Sequence, residues 1–318
     1  MQRDLLELLT CPLCRDSELT GADDAVTGSA LICSRCHARY PVRNGIPILL
    51  PPLFDASHVH DEIDHMHGHK HEQADYYDRG VAEEFEISRP DGAPEAYRWL
   101  LAEKFRRSIA GLPNLRDATV VDVCCGSGMD AEMLARSGAR VIAIDISEGC
   151  AARARARAER YGLDYLVVVG DVEHLPIRSA SADISYVHDG LHHLDDPAIG
   201  LRELARVASR AISITEPAEA LGTAIAVMLG VALEREDAGN RVARLRPESV
   251  AHELAAAGFD ARAQRYLMYY KHEPGAAMRL ASRPGFRELY RGGVTAADRV
   301  LGRWGNKLQV TATRKNAA

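Results

Sequence analysis

The stretch VVDVCCGSGMDAEMLARSGARVIAIDIS, residues 120–147, limits the fold more than any other part of the chain. It reads as an apolar strand, a glycine-bearing loop, a helix closed by Gly138, and a second apolar strand that ends on an acid. Strands that are apolar on both faces belong inside a parallel sheet, and a helix between them is the usual crossover. The same alternation continues downstream. Strands are expected near 119–123, 140–144, 165–169, 183–187 and 211–215, and helices near 129–137, 148–161 and 197–208. Such βαβ repetition implies an α/β fold with helices on both faces of the sheet. "AEALGTAIAVMLGVALERE" reads as an inserted apolar helix, "PESVAHELAAAGF" as a helix ending at a glycine, and "NKLQVTATR" as a closing strand. Ahead of the first strand, "ADYYDRGVAEEFEISRPDG" and "YRWLLAEKFRRSIAGL" carry helical patterns around a turn at Pro90 to Pro94.

The 318 residues suffice for one large α/β domain and a small extra module. Residues 1–53 carry the punctuation of a small β-rich unit, residues 54–75 read as a His-rich linker or ordered excursion, and residues 76–318 hold the large domain. In the first unit, Cys11-Pro-Leu-Cys14 and Cys33-Ser-Arg-Cys36 form two C-x-x-C knuckles separated by eighteen residues. That spacing suits a four-cysteine zinc ribbon, in which two thiolate pairs complete a tetrahedral shell and supply folding energy a unit this small lacks. A closed shell leaves no open position, so a Zn2+ there is expected to be structural. His37 is the alternative to Cys36 as fourth ligand.

His58, His60, His65, His67, His69 and His71 form a histidine-dense tract, and an extended H-x-H-x-H would align its later members as metal ligands. Seven cysteines, four of them in tight pairs, do not resemble a disulfide framework. The net charge of −6 argues against nucleic acid as a partner. Nearly all of the 39 basic residues are arginine, and the segment "ARARARAER" reads as a solvated helix face. With no leader-like start and no apolar run of the ~18 residues a membrane span requires, a cytoplasmic protein is expected.

A strand that feeds a glycine-bearing turn into a helix N-terminus is a nucleotide-site design, because the backbone can approach the ligand and the helix end offers free N–H groups. Asp145 stands at the tip of the next strand, where a carboxylate can take two ribose hydroxyls. Gly126-x-Gly128-x-x-Ala131 also satisfies the dinucleotide fingerprint, so the loop alone leaves a dehydrogenase open.

The surroundings narrow the choice. "VVDVCCGSG" resembles motif I of the class I S-adenosylmethionine (SAM) methyltransferases, "GDVEHLPI" their third motif, and "ADISYVHDGLHHLDDP" their fourth, while "SITEPA" and "AAAGF" fall where that family has its fifth strand and the helix before its final hairpin. The resemblance covers residues 119–259 and implies a Rossmann-like sheet. It also implies that Asp122 serves the amino acid end of the cofactor, that Asp171 accepts from the adenine amino group and that the Val172 amide meets the ring. Tyr77, Cys124, Gly126, Gly128, Ile146 and His188 join Asp145 around the same ligand. Tyr77 belongs to a segment that closes over SAM in similar proteins, and Tyr76 is expected in the core. Cys124 departs from the motif, which has glycine there. It fits if its φ stays below zero, and both Cys124 and Cys125 are read as packing beside SAM rather than as redox groups.

Methyl transfer needs alignment and, for an alcohol or carbon acid, a base. His188, His192, His193 and Glu216 are the candidates, with His192 as base and Glu216 as its orienting carboxylate. The alternative is that one histidine of the pair packs under the sheet and the other only hydrogen-bonds the cofactor shell. Asp189 is read as a helix cap, and Tyr269 to His272 as lining for the acceptor. Residues 5–52 resemble the small zinc-ribbon activator partner of several eukaryotic methyltransferases. Together these features suggest a SAM-dependent methyltransferase of a small molecule, by O-, N- or C-methylation, with the ribbon as a lid or as the contact of a homodimer. An RNA methyltransferase is one alternative, since a bacterial ribosomal guanine methyltransferase family also starts with a CPLC zinc module. A non-catalytic SAM-binding interaction protein is the other.

Overall fold

The computed structural model describes residues 3–24, 28–51, 64–79, 83–220, 243–269 and 273–315. A short helix α1 (Arg3–Leu6) precedes four strands, β1 (Leu19–Asp24), β2 (Gly28–Cys33), β3 (Arg39–Arg43) and β4 (Ile46–Leu49). Helices α2 (Asp64–Asp78), α3 (Glu83–Ser88) and α4 (Glu95–Ser108) then lead into the alternating part. It runs β5 (Thr119–Val123), α5 (Met129–Arg136), β6 (Arg140–Asp145), α6 (Glu148–Tyr161), β7 (Leu166–Gly170), β8 (Ala182–His188), α7 (Pro197–Val207) and β9 (Ala208–Pro217). The chain closes with α8 (Pro247–Ala256), β10 (Phe259–Tyr266), α9 (Ala276–Ala281), α10 (Arg287–Leu301) and β11 (Lys307–Arg314).

All these strands form one sheet in the order β1-β2-β3-β4-β7-β6-β5-β8-β9-β11-β10. β4 through β9 run parallel, and β11 inserts antiparallel between β9 and β10. Every residue of β5 and β7 is buried, as their unbroken apolar runs require, with helices covering both faces. The helix ends are marked by side chains the chain supplies locally. Ser147 accepts from the Cys150 N–H to start α6, Gly162 ends it in a left-handed conformation, and Asp196 with Pro197 starts α7.

The N-terminal strands continue the same sheet. Ile48 and Leu49 of β4 pair with Val169 and Gly170 of β7, and Leu5, Leu9, Tyr40 and Leu49 share a core with Val168 and Leu175. The unit therefore shields what would be an open sheet edge. None of its described residues lines the large cavity described below, so it is an edge cover and not the lid expected from sequence.

Two further expectations change. The histidine tract is helical from Asp64 onward, in place of the extended H-x-H-x-H alternation. His58 and His60 lie outside the described residues, as do residues 221–236 of the expected inserted helix. Helices α9 and α10, which form a substantial insertion before the last strand, were not anticipated from the sequence.

Candidate active site

β5 leads to β6 on one side and borders β8 on the other, so the strand order reverses there, and ligands of such sheets bind beyond the carboxyl ends at that point. A cavity of about 800 Å³ lies in that place. Its floor carries Asp122, Cys124, Gly126, Asp145, Ile146, Asp171, Val172 and His188, its far wall His192 and His193, and its roof Lys70, Gln73 and Tyr77 of α2. Two expected members stand behind the wall. Glu216 is fully buried beneath His192. Gly128 starts α5 with φ +77°, and an added Cβ there would lie 2.9 Å from the Ala154 side chain, so its bareness serves the packing of the loop on α6.

The carboxylates divide by environment. The Asp122 Oδ2 is buried and has no hydrogen-bond partner, and burial together with Asp130 and Asp145 holds this carboxyl well above the usual range. A cationic ligand group would relieve both penalties. Asp145 is raised by burial but accepts the Gly126 N–H at 2.8 Å and the Ser147 N–H at 3.0 Å, leaving further lone pairs on each oxygen. Asp171 accepts from Lys70 at 2.9 Å and from the Glu173 N–H at 3.0 Å. Burial works to raise its pKa, but His174 and Lys70 outweigh it and hold it low.

His192 and Glu216 form a close pair. His192 Nδ1 lies 2.8 Å from Glu216 Oε2, while Glu216 Oε1 accepts the N–H groups of Gly190 at 2.8 Å and Leu191 at 2.7 Å. Since the carboxylate only accepts, Nδ1 carries the proton and Nε2 is left as an acceptor. The His193 ring stacks on His192 at 4.1 Å and meets the edge of Tyr77 at 5.9 Å. His188 is different. Its Nδ1 sits 3.2 Å from the Tyr186 hydroxyl and 3.3 Å from Asp130, and burial with Lys104 nearby lowers its pKa.

Several assignments made from sequence need revising. Cys124 has φ +55°, not a negative value, so a thiol-bearing residue occupies the left-handed position the motif reserves for glycine. Burial beside Asp145 and Glu216 pushes this thiol well above its ordinary pKa, and Cys125 is raised likewise, which fits packing and not reactivity. Tyr76 is exposed, not core. Asp189 caps no helix. It has φ +54° and bridges Lys307 at 2.5 Å and Lys104 at 3.3 Å. Tyr269 is 68 % exposed, residues 270–272 lie outside the described residues, and Glu273, just beyond that segment, is on the cavity wall.

The segment "ARARARAER" is not a solvated face. Arg153 and Arg157 are buried and point toward the cofactor loop, while Arg155 and Arg160 face outward. Lysines were overlooked too. The chain has five, and Lys70, Lys104 and Lys307 all line the cavity. Their scarcity against the arginines was a usable signal.

At the N-terminus, the sulfur atoms of Cys11, Cys14, Cys33 and Cys36 all lie within 4.8 Å of one another, with Cys11 and Cys36 at 3.7 Å. Four sulfurs about 2.3 Å from a central ion span edges of about 3.8 Å, so the set fits a tetrahedral metal. His37 is exposed with φ +59° and is not in the group. A second cluster, Asp189 with His192 and Glu216, is a poor cation site, since Lys104 and Lys307 occupy Asp189 and backbone N–H groups occupy Glu216.

The methyltransferase domain family matches residues 121–211, the stretch that builds the cavity floor and the His192 wall. The Trm112p-like protein family matches residues 2–45, the edge unit with the four cysteines. The chain is 36% identical over 103 residues to the demethylmenaquinone methyltransferase of Thermobifida fusca (strain YX), covering 31% of this chain and 43% of that protein. It is 28% identical over 182 residues to the malonyl-[acyl-carrier protein] O-methyltransferase of Pectobacterium atrosepticum, covering 55% of this chain and 66% of that one. The chain thus spans under half the length of the first of these curated relatives. Among solved structures, magnesium protoporphyrin IX methyltransferase from Synechocystis PCC 6803 with bound SAH has a TM-score of 0.53 at 19% identity, covering 77% of this chain and 100% of that one. At that identity the likeness shows the shared class I methyltransferase fold.

Proposed function

We propose that the chain is a SAM-dependent methyltransferase of a small-molecule acceptor, with a structural zinc ion in the four-cysteine unit. The observation that carries this reading is the join of two halves in one cavity: buried carboxylates suited to a cationic nucleoside ligand, and the His192–Glu216 pair facing them. The cavity volume lies within the ~300–1,000 Å³ of small-molecule sites. The names of the two curated relatives described above, which specify a demethylmenaquinone and a malonyl-carrier-protein acceptor, support the acceptor class.

In this reading the cofactor supplies an electrophilic methyl group when bound. Asp122 receives the ammonium of its amino acid end, which compensates the orphaned Oδ2. Asp145 receives the ribose hydroxyls, and Asp171 with the Val172 amide receives the adenine edge once Lys70 shifts toward Glu173, which it already contacts. His192 Nε2 takes the proton from the acceptor, and Glu216 fixes the tautomer and favours the imidazolium that forms. His193 and Tyr77 shape the wall. Alignment of acceptor and cofactor in the cavity supplies the rest of the rate.

Calorimetry with SAM, paired with transfer of labelled methyl to a panel of small acceptors, tests the proposal. Saturable SAM binding that Asp145→Ala weakens supports it, and absence of SAM binding by the zinc-loaded full chain would sink it.

A further inference from the structure

α2 lies across the cavity mouth, and the sequence gives no reason for it to stay there, since its surface is strongly polar. Contacts among the described residues hold it: Lys70 on Asp171 and Glu173, Gln73 on the His193 carbonyl at 3.2 Å, the Tyr77 ring against His193, and Asp78, which accepts from Ser147 Oγ at 2.6 Å and the Gly149 N–H at 2.8 Å. Another comes from below. Arg153 Nη2 donates to the carbonyl of Tyr77 at 2.6 Å, and its Nε lies 3.2 Å from Ser127 Oγ.

The carbonyls of a helix's last turn lack intrahelical donors and sit at the negative end of the dipole, so a guanidinium is a suitable cap there. Arg157, one turn later on the same face of α6, repeats the arrangement. It donates to the Glu86 carbonyl in the last turn of α3 at 2.5 Å, to the Ser127 carbonyl at 3.0 Å and to Glu132 at 2.6 Å. Each arginine therefore joins the end of one covering helix to the same residue of the cofactor loop. Ser127 is the hub, gripped through its hydroxyl by one and through its backbone by the other.

We infer that Arg153 is a positioning residue that latches α2 to the loop of residues 124–128, so that the cover closes on a loop already held in its ligand-binding shape. The planar fork matters, because it fixes the directions of two donors on one group, whereas an ammonium is a point charge on a flexible stem with no fixed fork. Arg157 does the same for α3 but is wholly buried, and its loss would disturb the fold as well. The inference rests on the cofactor reading for its functional consequence, while the latch itself is a property of the ligand-free chain.

The test uses the full zinc-loaded chain with Arg153→Ala, Arg153→Lys and, as a control on the exposed face of α6, Arg155→Ala. Hydrogen exchange without cofactor reads the latch. Amides of residues 70–78 are expected to exchange about tenfold faster in Arg153→Ala than in the parent or in Arg155→Ala, with the rest of the sheet unchanged. Stopped-flow dissociation of SAM reads the consequence, with an expected increase of about tenfold for Arg153→Ala and a smaller one for Arg153→Lys. Unchanged exchange in α2 overturns the latch. Faster exchange with SAM release within about twofold of the parent overturns its coupling to the loop. A parent chain that binds no SAM while the exchange difference persists would instead strike the proposed function. If Arg153→Ala does not fold, Arg153→Lys carries both readouts, with about threefold as the threshold.

Discussion

Cys124 and Gly190 fit together because only one of them has a side chain: a Cβ built on Gly190 would lie 2.5 Å from the Cys124 Cβ and 2.9 Å from its sulfur. The two residues stand at the ends of adjacent strands β5 and β8, on the cavity floor. Cys124 also holds φ +55°, which disfavours a side chain by about 1–2 kcal/mol. Gly190→Ala is therefore expected to destabilise the protein by at least about 2 kcal/mol through overpacking. Cys124→Gly should stay within about 1 kcal/mol of the parent, since relief of backbone strain and loss of a buried thiol nearly cancel. The double variant should recover much of the Gly190→Ala loss. A urea-unfolding double-mutant cycle measures this, and additive effects would show that the contact is not what constrains Gly190.

His192 is expected to affect turnover and not cofactor binding. Replacing it with Ala should lower kcat by about 10²–10⁴-fold, the range for a lost general base, with SAM affinity within about twofold. Glu216 is a different experiment, because its carboxylate also holds three backbone N–H groups of residues 190–192. Glu216→Gln would turn a donor toward that cluster and should reduce stability and turnover together. Steady-state kinetics with calorimetry separates the two patterns, and full activity in His192→Ala would remove the base from the mechanism.

The parallel sheet was readable because a strand buried on both faces must be apolar throughout, as in residues 119–123 and 166–170. The acids at the strand tips were readable for a related reason: Asp122 and Asp145 are the polar breaks in such runs. What could not be read were relationships between elements distant in sequence. Nothing local in "ARARARAER" distinguishes Arg157, with no exposed surface, from Arg155, because the difference lies in which face meets Ser127 and Glu86. Lys307 reaches Asp189 across 118 residues, and the sign of φ at Cys124 is set by the turn it must make between strand and helix.

His188 makes stability depend on pH in a defined window. Its folded pKa lies below the ordinary 6.5, because burial and then Lys104 disfavour the imidazolium more than Asp130 and Asp189 favour it. The unfolded chain therefore binds the proton more readily, and stability falls as pH drops below about 6.5. The slope can reach about 1.4 kcal/mol per pH unit from this one group. Asp130, whose pKa is lowered, contributes only in more acid solution, below about 4. Thermal unfolding followed between pH 7 and 5 should thus flatten in His188→Gln relative to the parent, and equal slopes would exclude His188 as the cause.

The four-cysteine unit should be coupled to the sheet and not only to itself. β4 covers the edge of β7 through the pairing of Ile48 with Val169 and of Leu49 with Gly170, and Thr10 and Arg178 tie the flanking loops together through the Pro176 and Leu8 carbonyls. With a zinc ion held by the four cysteines, its loss would remove energy that folds this unit, and with it the cover over the β7 ladder. Cys33→Ser should lose bound zinc and lower the unfolding temperature of the whole chain, by more than the few degrees that ~1 kcal/mol costs a domain of this size. Hydrogen exchange localises the effect: amides of Val167 to Gly170 should lose protection along with β4, while those of β8 and β9 keep it. Protection of β7 that survives metal loss would mean that the two units fold independently, and the sheet edge would then need no cover.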